Sequence, residues 1–103
     1  MNSTPTLAAT AERIAAALDE HFDPSTAAIR QVLAVAEEAG EFVGAYRRAA
    51  GLARRPGNPD QVRAELADVV ITAYVAAVVL GIDLDHAITD KLAVVFTRGW
   101  RAA

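Results

Sequence analysis

The stretch LADVVITAYVAAVVLGI, Leu66 to Ile82, decides the fold class, because a helix this apolar must be buried on most of its sides. As a helix, its seventeen residues reach roughly 26 Å, a little short of the ~30 Å hydrocarbon core of a bilayer. It also contains Asp68, and no basic residue follows directly after Ile82. These features favour the core helix of a folded domain over a membrane span.

The length of 103 residues fits one domain, residues 1–103, with flexible ends expected at 1–5 and 101–103. A chain this short buries only a modest core by itself, although 53% of its residues are hydrophobic. Short apolar chains often complete their burial by oligomerising, so a homodimer or a homotetramer is expected.

The charge balance excludes several classes of partner. Ten Lys and Arg face thirteen Asp and Glu, whereas proteins that bind nucleic acids or membrane surfaces usually carry a basic excess. We therefore expect neither partner. The chain contains no cysteine, which excludes disulfides and cysteine-ligated zinc. Its N-terminus lacks the pattern of a signal peptide, so a cytoplasmic location is expected.

Proline, glycine and capping residues divide the chain into four predicted helices. They run from about Thr6 to Glu20, Pro24 to Ala50, Asp60 to Gly81 and Asp83 to Arg98. Asp23 or Ser25 can cap the second helix, and Asp60 and Asp83 can cap the third and fourth. Because the connections are short, neighbouring helices should be antiparallel, which predicts an all-α four-helix bundle.

The second helix carries an apolar stripe that we expect to face the core. Its residues recur at helical spacing and are Ile29, Val32, Leu33, Ala36, Gly40 and Val43. Two of them, Ala36 and Gly40, are small enough to let another helix approach closely.

Two acidic motifs stand beside this core. EEAGE supplies Glu37, Glu38 and Glu41 on the second helix, and ELAD supplies Glu65 and Asp68 on the third. The three glutamates share an arc about 100° wide at the edge of the apolar stripe. The apolar neighbours of Asp68, from Leu66 to Ile71, should draw its carboxylate toward the interior.

Two interpretations of the carboxylates compete. A solvated acidic face paired with nearby arginines is the common arrangement for a single glutamate on a helix. Clusters on successive antiparallel helices favour a site for a hard divalent cation instead. Oxygen ligands without His or Cys suit Mg²⁺, with Mn²⁺ as a substitute.

The pattern E-E-x-x-E, a spacer of twenty-three residues and E-x-x-D resembles the signature of the MazG-like all-α NTP pyrophosphohydrolases. This superfamily includes the dimeric dUTPases, the dCTP pyrophosphatases and phosphoribosyl-ATP pyrophosphohydrolase. The segment LGIDLDHAITDKL also resembles the family's G-I-D-L followed by a helix with a lysine. The likeness covers roughly residues 29–100.

The resemblance implies Mg²⁺-dependent hydrolysis of a nucleoside triphosphate to the monophosphate and pyrophosphate, serving to remove non-canonical or surplus nucleotides. It assigns the metal to four carboxylates, Glu38, Glu41, Glu65 and Asp68. Glu37 would be a further ligand or a base that orients the attacking water, and it is paired with Glu38 as catalytic.

Basic residues are expected to hold the phosphates. Lys91 and Arg98 match the family's K-x-x-x-N-x-x-R, but Val95 replaces its asparagine. The alternative for the two cations is an exposed pair near a helix C-terminus. Arg54 and Arg55 either reach the phosphates from a mobile loop or are simply solvated.

Three further residues concern the nucleoside and the assembly. Thr72 stands where some family members have a tyrosine, which bears on recognition of base or sugar. Phe22 either stacks on a nucleobase or packs as a hydrophobic staple. Trp100 packs on the bundle or on a second subunit. Two rival functions remain at this point: a nucleotide sensor without turnover, and an assembly module whose carboxylates pair with a partner's arginines.

Overall fold

The computed structural model of the protein describes residues 4–98, and within them the regular structure is entirely helical. The elements are α1 (Leu7–His21), a 3₁₀ helix (Pro24–Thr26), α2 (Ala27–Ala49), α3 (Pro59–Leu80) and α4 (Leu84–Arg98). The predicted all-α class and its four helices are confirmed. Trp100 and the expected flexible ends at 1–3 and 101–103 lie outside the described residues, while Thr4 and Pro5 precede α1 without regular structure.

Side-chain caps fix most of the helix starts. The Asp83 carboxylate accepts the backbone N–H of His86 at 3.1 Å at the start of α4, as predicted. Asp23 caps the 3₁₀ helix instead of α2, because its carboxylate accepts the backbone N–H of Ser25 at 3.0 Å, and Thr26 before α2 makes no side-chain capping hydrogen bond. The predicted cap Asp60 is wrong, because the Asn58 side chain accepts the backbone N–H of Gln61 at 2.9 Å. The proline that follows Asn58 opens the helix, since its missing N–H would have had no partner in the first turn.

The core of the chain is small and built mostly from alanine. Ala11 and Ala15 of α1 pack with Val75 of α3, and the larger side chains around them are only half-buried. These are Ile14, Leu18, Tyr74, Val78 and Val79. Because alanines contribute little volume, α1 and α3 approach closely but bury little apolar surface.

Helices α2 and α3 form the largest contact and run antiparallel. Glu38 in the middle of α2 lies beside Glu65 and Asp68 of α3, while Arg48 near its end contacts Gly57 just before α3 begins. The side of α2 that meets α3, called the inner face below, contains Gln31, Glu38 and Ala45. Ala45 is fully buried and Gln31 is 6% exposed.

The apolar stripe predicted to face the core does not do so. The stripe, called the outer face of α2 below, keeps Ile29 59% exposed and Leu33 54% exposed, and its remaining members are also exposed. The prediction fails because α2 turns its inner face to α3, and the described part of the chain has no other helix to cover the outer face.

Helix α4 departs from the predicted bundle. The chain bends by 109° between α3 and α4, so α4 does not return along α3 as an antiparallel neighbour. Gly81 allows the sharp turn because its φ is 71°, a conformation that L side chains rarely adopt. The Tyr74 hydroxyl then donates to Asp85 at 2.6 Å, and this hydrogen bond raises the pKa of Tyr74. The remainder of α4 has no buried residue.

The long apolar helix is buried over a shorter length than predicted. Val75, Ala76 and Ala77 are buried, whereas Leu66 and Val70 are 47% and 44% exposed. Within residues 4–98, no single helix has the length and apolar content needed to cross a membrane, and only the bent pair of α3 and α4 meets those criteria together.

Candidate metal centre

Three carboxylates from two helices meet where α2 crosses the first half of α3. Glu38, Glu65 and Asp68, called the carboxylate cluster below, each place one oxygen within 4.8 Å of the others. Glu65 and Asp68 share a face because they are three residues apart on one helix. The antiparallel register of α2 then sets Glu38 opposite both. These three of the four predicted ligands therefore lie together, and their role in binding a metal stays a prediction.

Burial in the cluster differs from the prediction in one respect. Glu38 and Glu65 are half-buried, whereas Asp68 is exposed. Asp68 was expected to turn inward because of its apolar neighbours. Helix α2 packs on the side of α3 that carries the half-buried Glu65. The apolar neighbours Leu66 and Val70 therefore stay exposed, and they do not draw Asp68 inward. Asp68 therefore reaches the cluster from its solvent side.

The electrostatics of the cluster favour protonation. Burial is the main cause that raises the pKa of Glu38, and the charges of Glu41, Asp68 and Glu65 raise it further. Burial also raises the pKa of Glu65, with contributions from Glu41 and Asp68, while the Arg48 guanidinium lowers it in part. Glu41 thus lies close enough to act on both half-buried glutamates, as the fourth predicted metal ligand should.

Two oxygens of the cluster lack hydrogen-bond donors. Glu38 Oε2 and Glu65 Oε2 are buried without a partner among the described residues. A buried carboxylate oxygen left in this state is costly, and a cation removes the cost of both its desolvation and the repulsion between like charges. The donors are all oxygens, as Mg²⁺ and Mn²⁺ prefer. The residues present therefore fit a hard divalent cation.

An open cavity of about 750 Å³ adjoins the cluster. This acidic cavity is lined by Glu37, Gly40, Glu41, Gly44, Arg48 and Glu65. Glu37 is exposed at its wall and lies outside the group of three converging carboxylates. The arrangement leaves room for a ligand to touch Glu37, Glu41 and Glu65 from the same side.

The predicted substrate-binding residues fall into two groups. Thr72 is half-buried one turn after Asp68, and Arg54 and Arg55 line a smaller cavity next to the acidic one. Lys91 and Arg98 are exposed on α4. Asp68 lies about 18 Å from the end of α3, and the bend that follows leaves the Lys91 backbone roughly 15 Å or more from it. One chain alone does not bring these two cations to the carboxylates.

Phe22 lies at the junction of α1 and the 3₁₀ helix and is 52% exposed. The Arg30 guanidinium lies over its ring, 4.9 Å from the centroid, and also approaches Asp19 at 4.0 Å. One face of the ring is therefore occupied by a cation–π contact. A nucleobase could stack only on the other face.

Sequence reasoning did not assign Arg48 a role in the site. Arg48 is half-buried, lines the acidic cavity and acts on Glu65. It lies seven residues after Glu41, and this spacing of about two helical turns places both residues on the same side of α2. The burial of Gln31, seven residues before Glu38, was not predicted either.

The helical fold and the carboxylate cluster agree with the class of all-α nucleotide pyrophosphohydrolases. A family model described as phosphoribosyl-ATP pyrophosphohydrolase matches residues 8–93, and the chain belongs to this family. The family is part of the MazG-like superfamily, which the acidic motifs resemble. The protein is thus a hydrolase that acts on phosphoric anhydride bonds. Comparisons with curated proteins and with solved structures found no match.

Proposed function

We propose that the protein is a Mg²⁺-dependent nucleoside triphosphate pyrophosphohydrolase, which converts an NTP or dNTP and water to the monophosphate and pyrophosphate. The observation that carries the proposal is the carboxylate cluster, with three oxygens within 4.8 Å and two oxygens buried without donors. An acidic site can serve a polyanionic substrate only if a cation reverses the local charge.

The carboxylates would divide the work as follows. Glu38, Glu65 and Asp68 would hold the cation, with Glu41 as a fourth ligand from the wall of the acidic cavity. When bound, Mg²⁺ or Mn²⁺ would polarise a phosphoryl group and favour hydroxide near neutral pH. Glu37, exposed on the same wall, would accept a proton from the attacking water or act as a further ligand. Glu38 would orient that water through its second oxygen.

We also propose that the protein acts as a homodimer or homotetramer. Ile29 and Leu33 on the outer face of α2, and Leu92 and Phe96 on α4, are all exposed in one chain. Burying one such side chain contributes about 1.5–3 kcal/mol, so a surface of this kind favours association. A second copy is also the route by which Lys91 would reach the phosphates, together with Arg98.

Two residues are candidates for contacts with the base and sugar of the substrate. Thr72 beside the cluster and the open face of Phe22 would contact the nucleoside. Removal of surplus or non-canonical nucleotides is the role that the acidic motifs suggest. The description of the matched family names phosphoribosyl-ATP, and hydrolysis of this nucleotide also releases pyrophosphate. Phosphoribosyl-ATP is therefore the second candidate substrate. A cytoplasmic location, without nucleic-acid or membrane partners, stays a prediction.

The test is a pyrophosphate-release screen over canonical and modified NTPs and dNTPs and phosphoribosyl-ATP, with Mg²⁺, with Mn²⁺ and with a chelator. We expect release that requires the metal and favours one nucleotide. Glu20→Gln, which removes an exposed carboxylate from α1, is the matched control and should leave the rate unchanged. No release from any nucleotide by correctly assembled protein would contradict the proposal. Release from phosphoribosyl-ATP alone would replace the NTP substrate and keep the reaction.

A further inference from the structure

The end of α2 and the loop after it concentrate positive charge beside the acidic cavity. A cavity of about 210 Å³, called the arginine cleft below, is lined by Gly44, Arg47, Arg48, Ala53, Arg54 and Arg55. Four of the ten basic residues of the chain thus line one small cavity, and no carboxylate lines it. Such a group repels itself unless an anion is bound.

The cleft and the acidic cavity are adjacent. Both are lined by Gly44 and Arg48, and the Arg48 guanidinium lies over Gly44, 3.3 Å from a Cβ atom added there. Arg48 already interacts with Glu65, because its charge lowers the pKa of that carboxyl group. Arg48 is therefore placed to contact a ligand in either cavity.

The loop is packed so that Arg48 keeps this position. A Cβ atom added at Gly57 would lie 2.7 Å from Arg48 Cβ and 3.0 Å from the backbone nitrogen of Ala49, so only glycine fits there. The Arg47 guanidinium donates to the carbonyl oxygen of Leu52 at 3.5 Å, which holds the start of the loop against α2. Arg54 and Arg55 are then presented from the middle of a loop that is held at both sides.

The arginines have few partners within the chain. Among residues 4–98, the ion pairs of arginine are those of Arg30 with Asp19 and of Arg63 with Asp60, and neither involves the cleft. A position near a helix C-terminus explains Arg47 and Arg48, whose charges complement the helix dipole. It does not explain Arg54 and Arg55, which lie beyond the helix.

We propose that the arginine cleft binds the phosphates on the far side of the cleaved bond and retains them as the pyrophosphate product. Guanidinium groups form paired hydrogen bonds to phosphate oxygens, and several of them match the charge of pyrophosphate. The proposal rests on the proposed function for the direction of the substrate. It places the nucleoside at the Thr72 side of the cluster and the leaving group at the end of α2, on residues of the same chain as the carboxylates.

The test uses inorganic pyrophosphate as the probe, titrated calorimetrically into the whole protein with and without Mg²⁺. The variant Arg54→Ala/Arg55→Ala removes two charges from the cleft. Its matched control, Arg13→Ala/Arg63→Ala, removes two exposed arginines from α1 and α3. Losing charge-assisted hydrogen bonds to phosphate lowers affinity by about 10- to 100-fold. We therefore expect the cleft variant to bind pyrophosphate at least 10-fold more weakly than the wild type. The control should bind it with the affinity of the wild type.

Two further readouts separate this proposal from the proposed function. In steady-state assays, the cleft variant should need a higher pyrophosphate concentration for product inhibition and should raise KM more than it lowers kcat. The variant Arg54→Lys/Arg55→Lys, which keeps the charge and loses the fork, should recover part of the affinity. Equal pyrophosphate affinity in the cleft variant and its control, with both folded by circular dichroism, would overturn the proposal even if turnover is intact. Cleft-dependent binding without turnover would support it and count against the enzyme activity.

Discussion

The two faces of α2 reverse the usual distribution of polar and apolar residues. The inner face meets α3 with Gln31, Glu38 and the fully buried Ala45, while the outer face leaves Ile29 and Leu33 more than half exposed. A helix of a self-sufficient bundle would bury the second face and expose the first. Within the described chain, the inner face keeps a buried carboxylate oxygen of Glu38 without a hydrogen-bond donor, and the outer face keeps large apolar side chains exposed.

Each face fits one of the proposed partners. On the inner face, Glu38 meets Glu65 of α3, and burial and the charges of neighbouring carboxylates raise the pKa of both groups, which a cation would relieve. The outer face exposes apolar surface that a second copy would cover. The proposed metal site and the proposed interface therefore lie on opposite sides of the same helix, and substitutions can separate them.

The largest effect is expected at the predicted metal ligands, on the side of α2 that meets α3. Asp68→Asn, or Glu41→Gln, removes a charged ligand and should lower turnover by more than about 100-fold, since even residues that only orient a metal ligand often cost 10- to 100-fold. The thermal stability of the metal-free variant should stay equal or rise, because repulsion between carboxylates is reduced. Pyrophosphate release and a thermal melt in chelator check both parts. Unfolding of either variant would mean that the carboxylates are structural partners.

The outer face should respond in assembly rather than chemistry. Leu33→Glu places a charge in the middle of the proposed interface, so we expect light scattering to show smaller particles than those of the wild type. Because Leu33 is 54% exposed in one chain, the fold of each protomer should survive. Ala17→Glu, at an exposed position of α1, is the control. An unchanged particle mass for Leu33→Glu would remove the outer face from the interface.

The pH dependence of stability distinguishes the carboxylate cluster from ordinary surface carboxylates. The pKa values of Glu38 and Glu65 are raised above the ordinary 4.5, so the folded state holds protons more tightly there than the unfolded chain. Their contribution to stability is complete below pH 4.5 and is lost as the pH rises through the raised values. In chelator, the wild type should therefore lose stability relative to Glu38→Gln/Glu65→Gln as the pH rises above 4.5. A difference in the free energy of unfolding that does not change with pH would contradict the raised pKa values of Glu38 and Glu65.

The smallest effect is expected at Gly40, which belongs to the outer face and also lines the acidic cavity. Nothing lies within 4 Å of a Cβ atom added there. In the Leu33→Glu background, Gly40→Ala should therefore raise the free energy of unfolding by about 0.5–1 kcal/mol, through helix propensity alone. In the assembled wild type, the same change should give no gain if a helix of the second copy packs closely against this glycine. Denaturant unfolding of the four variants compares the two cases, and an equal gain in both would exclude close packing at this point.

Much of the local structure was predictable because it depends on neighbours in the chain. Proline, glycine and the caps Asp23 and Asp83 determine where helices begin and end, and spacing alone puts Glu65 and Asp68 on one face. The convergence of Glu38 with them also followed, since it requires only that α2 and α3 be antiparallel neighbours. The cap Asn58 was missed because the proline after it shifts the start of the helix toward the N-terminus.

What the sequence determined by itself was the helices, the acidic motifs and the enzyme class that those motifs signal. Only the tertiary structure decided which face of α2 meets α3, that Asp68 stays exposed, and that α4 turns away at 109°. The tertiary structure also decided that Arg48 lines both the acidic cavity and the arginine cleft. Hydrophobic periodicity identifies a face that must be buried but not what buries it. In this chain the most apolar face of α2 stays open, and the helices pack through alanine and carboxylates instead.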